Sequence, residues 1–132
     1  MSQRDVFLKE FRGQTIGSIT DQSSVEEQFQ NEVLRPILKL QNDLIILSFQ
    51  NYLSVNKINF NSFTVDKKVT LIENSIHKDS KLRDIFKGII IGLFTSNEYL
   101  VYSINASNFN KRIITMLIER LKSQVQLLEI NT

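Results

Sequence analysis

Apolar positions along this chain recur at three- and four-residue intervals almost throughout, which is the period of helices with one face buried. The clearest series is Phe29, Val33, Ile37, Leu40, Leu44 and Leu47. It predicts one long helix from near Val25 to near Leu53 with that stripe on the core. "SSVEEQF" supplies its start through two overlapping capping boxes, Ser23 with Glu26 and Ser24 with Glu27. The only proline, Pro36, falls inside the pattern. Its ring removes a hydrogen bond to the Glu32 carbonyl and crowds that oxygen. No Gly, Asn or Ser cluster interrupts the stripe, so the pattern predicts a bend around Pro36 and not a turn. Two readings of Pro36 stand: it shapes a packed core helix, or it bares the Glu32 carbonyl to a ligand.

Five further helical segments follow from the same period. The first runs from about Gln3 to Arg12, with Ser2 and Asp5 as a weak capping box, Phe7 paired with Phe11, and Gly13 or Gly17 ending it. Val65, Val69, Ile72 and Ile76 mark another, capped by Thr64 or Asp66. Leu82, Ile85, Ile89 and Leu93 share a face of "KDSKLRDIFKGIIIGLF", which opens at Asp79 or Ser80. Thr95 with Glu98 restarts the helix in "TSNEYLVY". Ile114, Leu117, Leu121 and Leu128 define the last, from Asn108 to about Glu129, opened by Ser107 or Asn108. Alone, "LIILSF" or "IIIGLF" could be a buried strand, but both lie within longer three-four patterns and neither is bounded by hairpin turns. The fold predicted is all-α: one compact bundle of five to six helices over residues 1–132, with one long Pro-kinked helix.

Composition narrows the chemistry. The 132 residues include no cysteine and one histidine, His77. Thiolate nucleophiles and cysteine-bearing zinc or iron–sulfur sites are therefore excluded, and any Ser-His-Asp triad would have to use His77. No apolar run is long enough to span a bilayer, and "MSQRDVFLKEFRG" lacks a secretory apolar core, so a cytoplasmic location is expected. Ile, Asn and Lys are abundant while Ala106 is the sole alanine. A/T-rich codons explain that bias as well as function does.

Candidate residues are few. Gly88 and Gly92 form a G-x-x-x-G within an i+4 ladder of Ser80, Asp84, Gly88, Gly92 and Ser96. The cost of two helical glycines predicts a close-packing seam, within the chain or across a dimer. Glu73 and His77 share a helix face, yet two groups do not make a metal site, and no metal or cofactor is expected. A second row on the long helix reads Leu34, Leu38, Gln41, Ile45, Ser48, Tyr52. Gln41 and Ser48 would need partners if buried. Tyr99, Tyr102 and Arg112 could join them around a ligand, or the tyrosines could sit at a core boundary. No catalytic residue can be named. Residues 1–34 carry three basic and six acidic side chains, residues 57–87 seven basic and four acidic. The cations are interleaved with acids, which argues against nucleic acid as a partner.

"VLRPILKLQNDL", "KGIIIGLFTSNEYLVY" and "NKRIITMLIERLKSQ" together resemble a group of small uncharacterised all-helical bacterial proteins, over nearly the whole chain. Some of that group carry an automatic "glyoxalase" label. Glyoxalase I builds its metal site from His and Glu ligands on paired βαβββ modules, and this sequence has one His and no clear strand. The expectation is a non-catalytic interaction or structural module acting as a homodimer. The alternative is a small-molecule binder or an enzyme with a pocket between helices.

Overall fold

Helices begin where the sequence supplies a cap. In a computed structural model, which describes residues 2–129, Ser2, Ser24, Thr64, Asp79 and Thr95 each accept a backbone N–H three residues on. These caps open α1 (Gln3–Arg12), α2 (Val25–Phe29), α5 (Val65–Lys78), α6 (Ser80–Ile91) and α7 (Ser96–Ile104). Thr95 and Glu98 form the full reciprocal capping box. A π-helical turn, Gln30–Leu34, joins α2 without a break to α3 (Arg35–Leu40). Next come α4 (Asn42–Val55) and, after α7, α8 (Ala106–Ser123). With residues 25–40 counted as one rod there are seven helices and no strand among the described residues. None is long and apolar enough to cross a membrane.

The long helix departs from expectation in two ways. It is not one rod to Leu53, because Gln41 interrupts it with φ −91° and ψ 7°. Nor is Pro36 a simple bend. In the turn before it the Arg35 N–H reaches back five residues to the Gln30 carbonyl. The Asn31 carbonyl thereby loses its ordinary donor, and the next candidate, Pro36, has no N–H. The Ile16 N–H donates to it instead, at 3.0 Å. Pro36 thus leaves the Asn31 carbonyl open, and the chain's own loop takes it. The loop settles there through Gly17, at φ 106°, and through the Asn31 side-chain amide, which donates to the Ser18 carbonyl at 3.1 Å.

One contiguous core draws on every helix except α1 and includes Phe29, edge-on to Phe94 and tilted against Phe109. Helix α1 buries a single apolar side chain, Leu8. Its attachment is polar and follows helix dipoles. Arg4 and Arg12 donate to the carbonyls of Gly92 and Leu93, just past the C-terminus of α6. The Asp5 carboxylate accepts the Ser96 N–H at the N-terminus of α7. Cations near one helix end and a carboxylate at the other are the favourable arrangement. Burial acts to raise the Asp5 pKa, but hydrogen bonds from Ser96 and Ser2 and the charge of Arg4 outweigh it and leave the carboxyl below its usual value. Arg12 also grips Glu98 through both guanidinium nitrogens, Nη1 at 2.7 Å, with its side chain only 5% exposed.

Two stability changes follow. Arg12→Met leaves Glu98 without its partner and should lower unfolding free energy by about 3–5 kcal/mol, with partial recovery in Arg12→Met/Glu98→Gln; urea midpoints measure both. A Cβ at Gly17 would lie 2.8 Å from the Asn31 side chain at a positive φ. Gly17→Ala should therefore cost about 1–3 kcal/mol and release the loop, seen as lost amide protection at Ile16.

Candidate functional site in the groove between α4 and α6

The interruption at Gln41 decides what α4 shows to solvent. Ile45, Phe49 and Leu53 face the core, and Leu40, Leu44 and Leu47 do not. The predicted core stripe holds for Phe29, Val33 and Ile37 and fails beyond them: Leu44 is 46% exposed and Leu47 60%. On α6 the buried residues are Leu82, Phe86 and Ile90, so Ile85, expected inside, is 55% exposed.

Between these faces runs a groove of about 430 Å³. Leu47, Ser48, Tyr52 and Val55 line it from α4, and Leu82 and Ile85 from α6. Asp79 and Lys81 stand on its rim, with Asn51 and Asn56 on the α4 side. The Asp79 carboxylate is held by its capping bond from the Leu82 N–H, at 3.1 Å. The wall is apolar, the rim is amide and charged, and the rim's two charges have opposite sign. Such a surface suits association better than proton transfer.

No protein family, curated protein or solved structure matches this chain.

The sequence-derived site candidates do not converge. Ser48 alone lies in the groove. Gln41 donates from Nε2 to the Ile89 carbonyl at 2.9 Å, which caps the end of α6. Tyr102 is buried in the core and donates its hydroxyl to Asn110 Oδ1 at 2.7 Å. Arg112 reaches Gln30 Oε1 at 2.8 Å and ties α8 to the π turn. Tyr99 is half exposed beside Tyr102. Three of the five are thus interhelical or local hydrogen bonds, which is what polar residues at a core boundary need. Glu73 pairs with Lys122 across to α8, and His77 is exposed. Among the described residues no three His, Asp or Glu side chains gather around a point that could hold a metal.

Among the described residues, nothing from another helix packs closely on Gly88 or Gly92. A Cβ at Gly88 would meet nothing within 4 Å, and one at Gly92 would touch only the Gly88 carbonyl of its own helix, at 3.0 Å. The whole ladder from Ser80 to Ser96 is exposed. Pro36, by contrast, is buried. The groove residues were missed because their apolar members were assigned to the core. Part of their signal lay in the row from Leu34 to Tyr52, whose Ser48 and Tyr52 line the groove.

Gly88→Ala should accordingly stabilise the protein by about 0.5–1 kcal/mol, the ordinary helix-propensity difference at an open position. Thermal or denaturant unfolding measures it, and a loss of stability that grows with protein concentration would place a seam between copies instead.

Proposed function

We propose that this protein is a non-catalytic helical interaction module that acts as a homodimer, paired through the groove between α4 and α6. The observation that carries this reading is the exposure of Leu44, Leu47 and Ile85 on adjoining helices beside a groove that is itself apolar. Exposed apolar surface that is contiguous and rimmed by polar groups marks association sites, and a two-fold pair is the commonest closed assembly.

A two-fold interface must be complementary to itself. The rim meets that requirement, because Asp79 and Lys81 carry opposite charges at the same mouth. Turned about a two-fold axis, Lys81 of each copy meets Asp79 of the other. Leu47 and Ile85 are the natural central anchors, since both can lose solvent without any polar group being stranded.

Sedimentation equilibrium from about 1 to 100 μM should give a dimer with micromolar or tighter dissociation. Leu47→Glu and Ile85→Glu should each return a monomer with unchanged circular dichroism, because neither residue belongs to the core. Lys81→Glu, which sets like charges against each other, should weaken pairing by about tenfold. A parent protein that stays monomeric across that range, or a Leu47→Glu variant that still pairs, would defeat the proposal.

A further inference from the structure

A second concavity lies elsewhere on the molecule and has a different character. Two polar rungs tie the π turn and the start of α4 to α8 and its C-cap. The first is Arg112 to Gln30; the second joins Asn42 to Arg120 and Gln124, with Asn42 Nδ2 donating to Gln124 Oε1 at 2.7 Å. The two rungs follow the same order along both segments, Gln30 before Asn42 and Arg112 before Arg120 and Gln124, and α3 and α8 face each other across the space between them. The cleft they bracket measures about 660 Å³. Its floor is Leu38 and Met116, and one end is walled by Ile16, the residue whose N–H is fixed on the Asn31 carbonyl.

Three cations line this cleft. Arg35 and Lys39 stand one turn apart on α3, and Arg120 faces them from α8. Both α3 cations are exposed, and neither side chain has a hydrogen-bond or ion-pair partner among the described residues. Arg120 is half-buried, and the one hydrogen bond of its guanidinium is from Nη1 to Asn42 Oδ1, at 3.2 Å. Glu119 lies on the same wall and pairs with none of them. Arg12, Lys68, Lys87 and Lys122 pair with carboxylates, whereas Arg83 and Arg112, also half-buried, use carbonyl and amide oxygens. Here the protein likewise leaves a guanidinium in a partly dry place without a carboxylate. Burial lowers the Arg120 pKa, which registers that unmet desolvation cost, although the group stays a cation at neutral pH.

We propose that the cleft between α3 and α8 binds a phosphate ester, its anionic group held by Arg35, Lys39 and Arg120 and its organic part resting on Leu38 and Met116. Guanidinium groups match the geometry of phosphate oxygens in pairs, while an ammonium supplies a movable third charge. The Asn42–Gln124 network presets the Arg120 guanidinium, so little side-chain freedom is lost when an anion arrives. Glu119 is placed to accept from a hydroxyl or amine on the ligand body. Ser123 and Thr115, also in the lining, add hydroxyls at the same edge.

Amide chemical-shift titration of the full chain tests this with phenyl phosphate, inorganic phosphate, phenol and sodium chloride at matched ionic strength. Phenyl phosphate should saturate, with shifts centred on residues 35–39 and 115–124, and should bind about tenfold more tightly than inorganic phosphate because only it uses the apolar floor. Phenol and chloride should not saturate. Arg120→Gln should weaken phenyl phosphate by about tenfold or more. Because Arg120 also holds Asn42, Lys39→Gln and Arg35→Gln provide the safer variants, as neither residue has a partner to lose. Each should weaken binding by about threefold to tenfold, with Lys111→Gln unchanged. Shifts that track ionic strength and appear equally with chloride would mean an adventitious ion only. Unaltered binding in both Lys39→Gln and Arg35→Gln would also overturn the assignment.

Discussion

The absent N–H of Pro36 is the constraint around which the first half of the chain is arranged. An α-helical register would oppose that ring to the Glu32 carbonyl, a clash that costs about 3 kcal/mol in a helix interior. The chain answers by widening one turn, so that Arg35 bonds back to Gln30 and the freed acceptor becomes Asn31. A free carbonyl at a partly buried point must be paired, and the loop after α1 supplies the donor through Ile16. The loop's course then follows. Gly17 adopts a positive φ against the Asn31 side chain, and Ile16 becomes the end wall of the basic cleft. One missing hydrogen thereby positions a loop of the protein and one boundary of a binding surface.

The corner between α6 and α7 shows how a helix with little apolar contact can still be fixed. Helix ends leave carbonyls and N–H groups unpaired, and at this corner two sets lie side by side. Helix α1 reaches both. Its arginines meet the carbonyls behind α6, its aspartate meets the first amides of α7, and Gln41 closes the Ile89 carbonyl from the other side. Arg83 does the same service at the end of α5, donating to the Ile76 carbonyl at 3.0 Å. The charged residues that look like a generic soluble surface in the sequence are, at these points, helix caps supplied from a distance.

Local signals in the sequence were legible and distant ones were not. Ser24, Thr64, Asp79 and Thr95 cap the helices that their spacing announces, because a cap and its target N–H lie within one turn. The last helix was less clear, for Asn105 precedes Ala106 without any side-chain cap. Gln41 is expected to need a partner if buried, and Tyr102 and Arg112 are expected beside a ligand; all three have protein partners instead. The partners are an α6 carbonyl, Asn110 and Gln30, and two of these contacts cross between helices far apart in sequence. Nothing local reveals such a pairing. The cleft of Arg35, Lys39 and Arg120 was hidden for the same reason, since it exists only once α3 and α8 are brought together.

The misassigned stripe has a geometric explanation that reaches back to Pro36. Two apolar rows compete along residues 29–53. One averages 3.6 residues per turn and passes through Leu40, Leu44 and Leu47. The other advances by strict fours from Phe29 through Val33, Ile37, Gln41, Ile45, Phe49 and Leu53. In a regular α-helix each step of four overshoots a full turn by about 40°, so six such steps would carry a row most of the way around the rod. An unbroken helix must therefore bury the first row. The structure buries the second: every apolar member of it is inside, while Leu44 and Leu47 face out. That choice requires the rod to lose phase, and it does so at the two irregular points, the wide turn ahead of Pro36 and the interruption at Gln41. Gln41 is the one polar member of the buried row because it sits where the helix is broken and has a carbonyl of α6 to satisfy. The exposed leucines beside the α4–α6 groove are thus not leftovers of a core too small to hold them. They are the row that the π turn and Gln41 displaced.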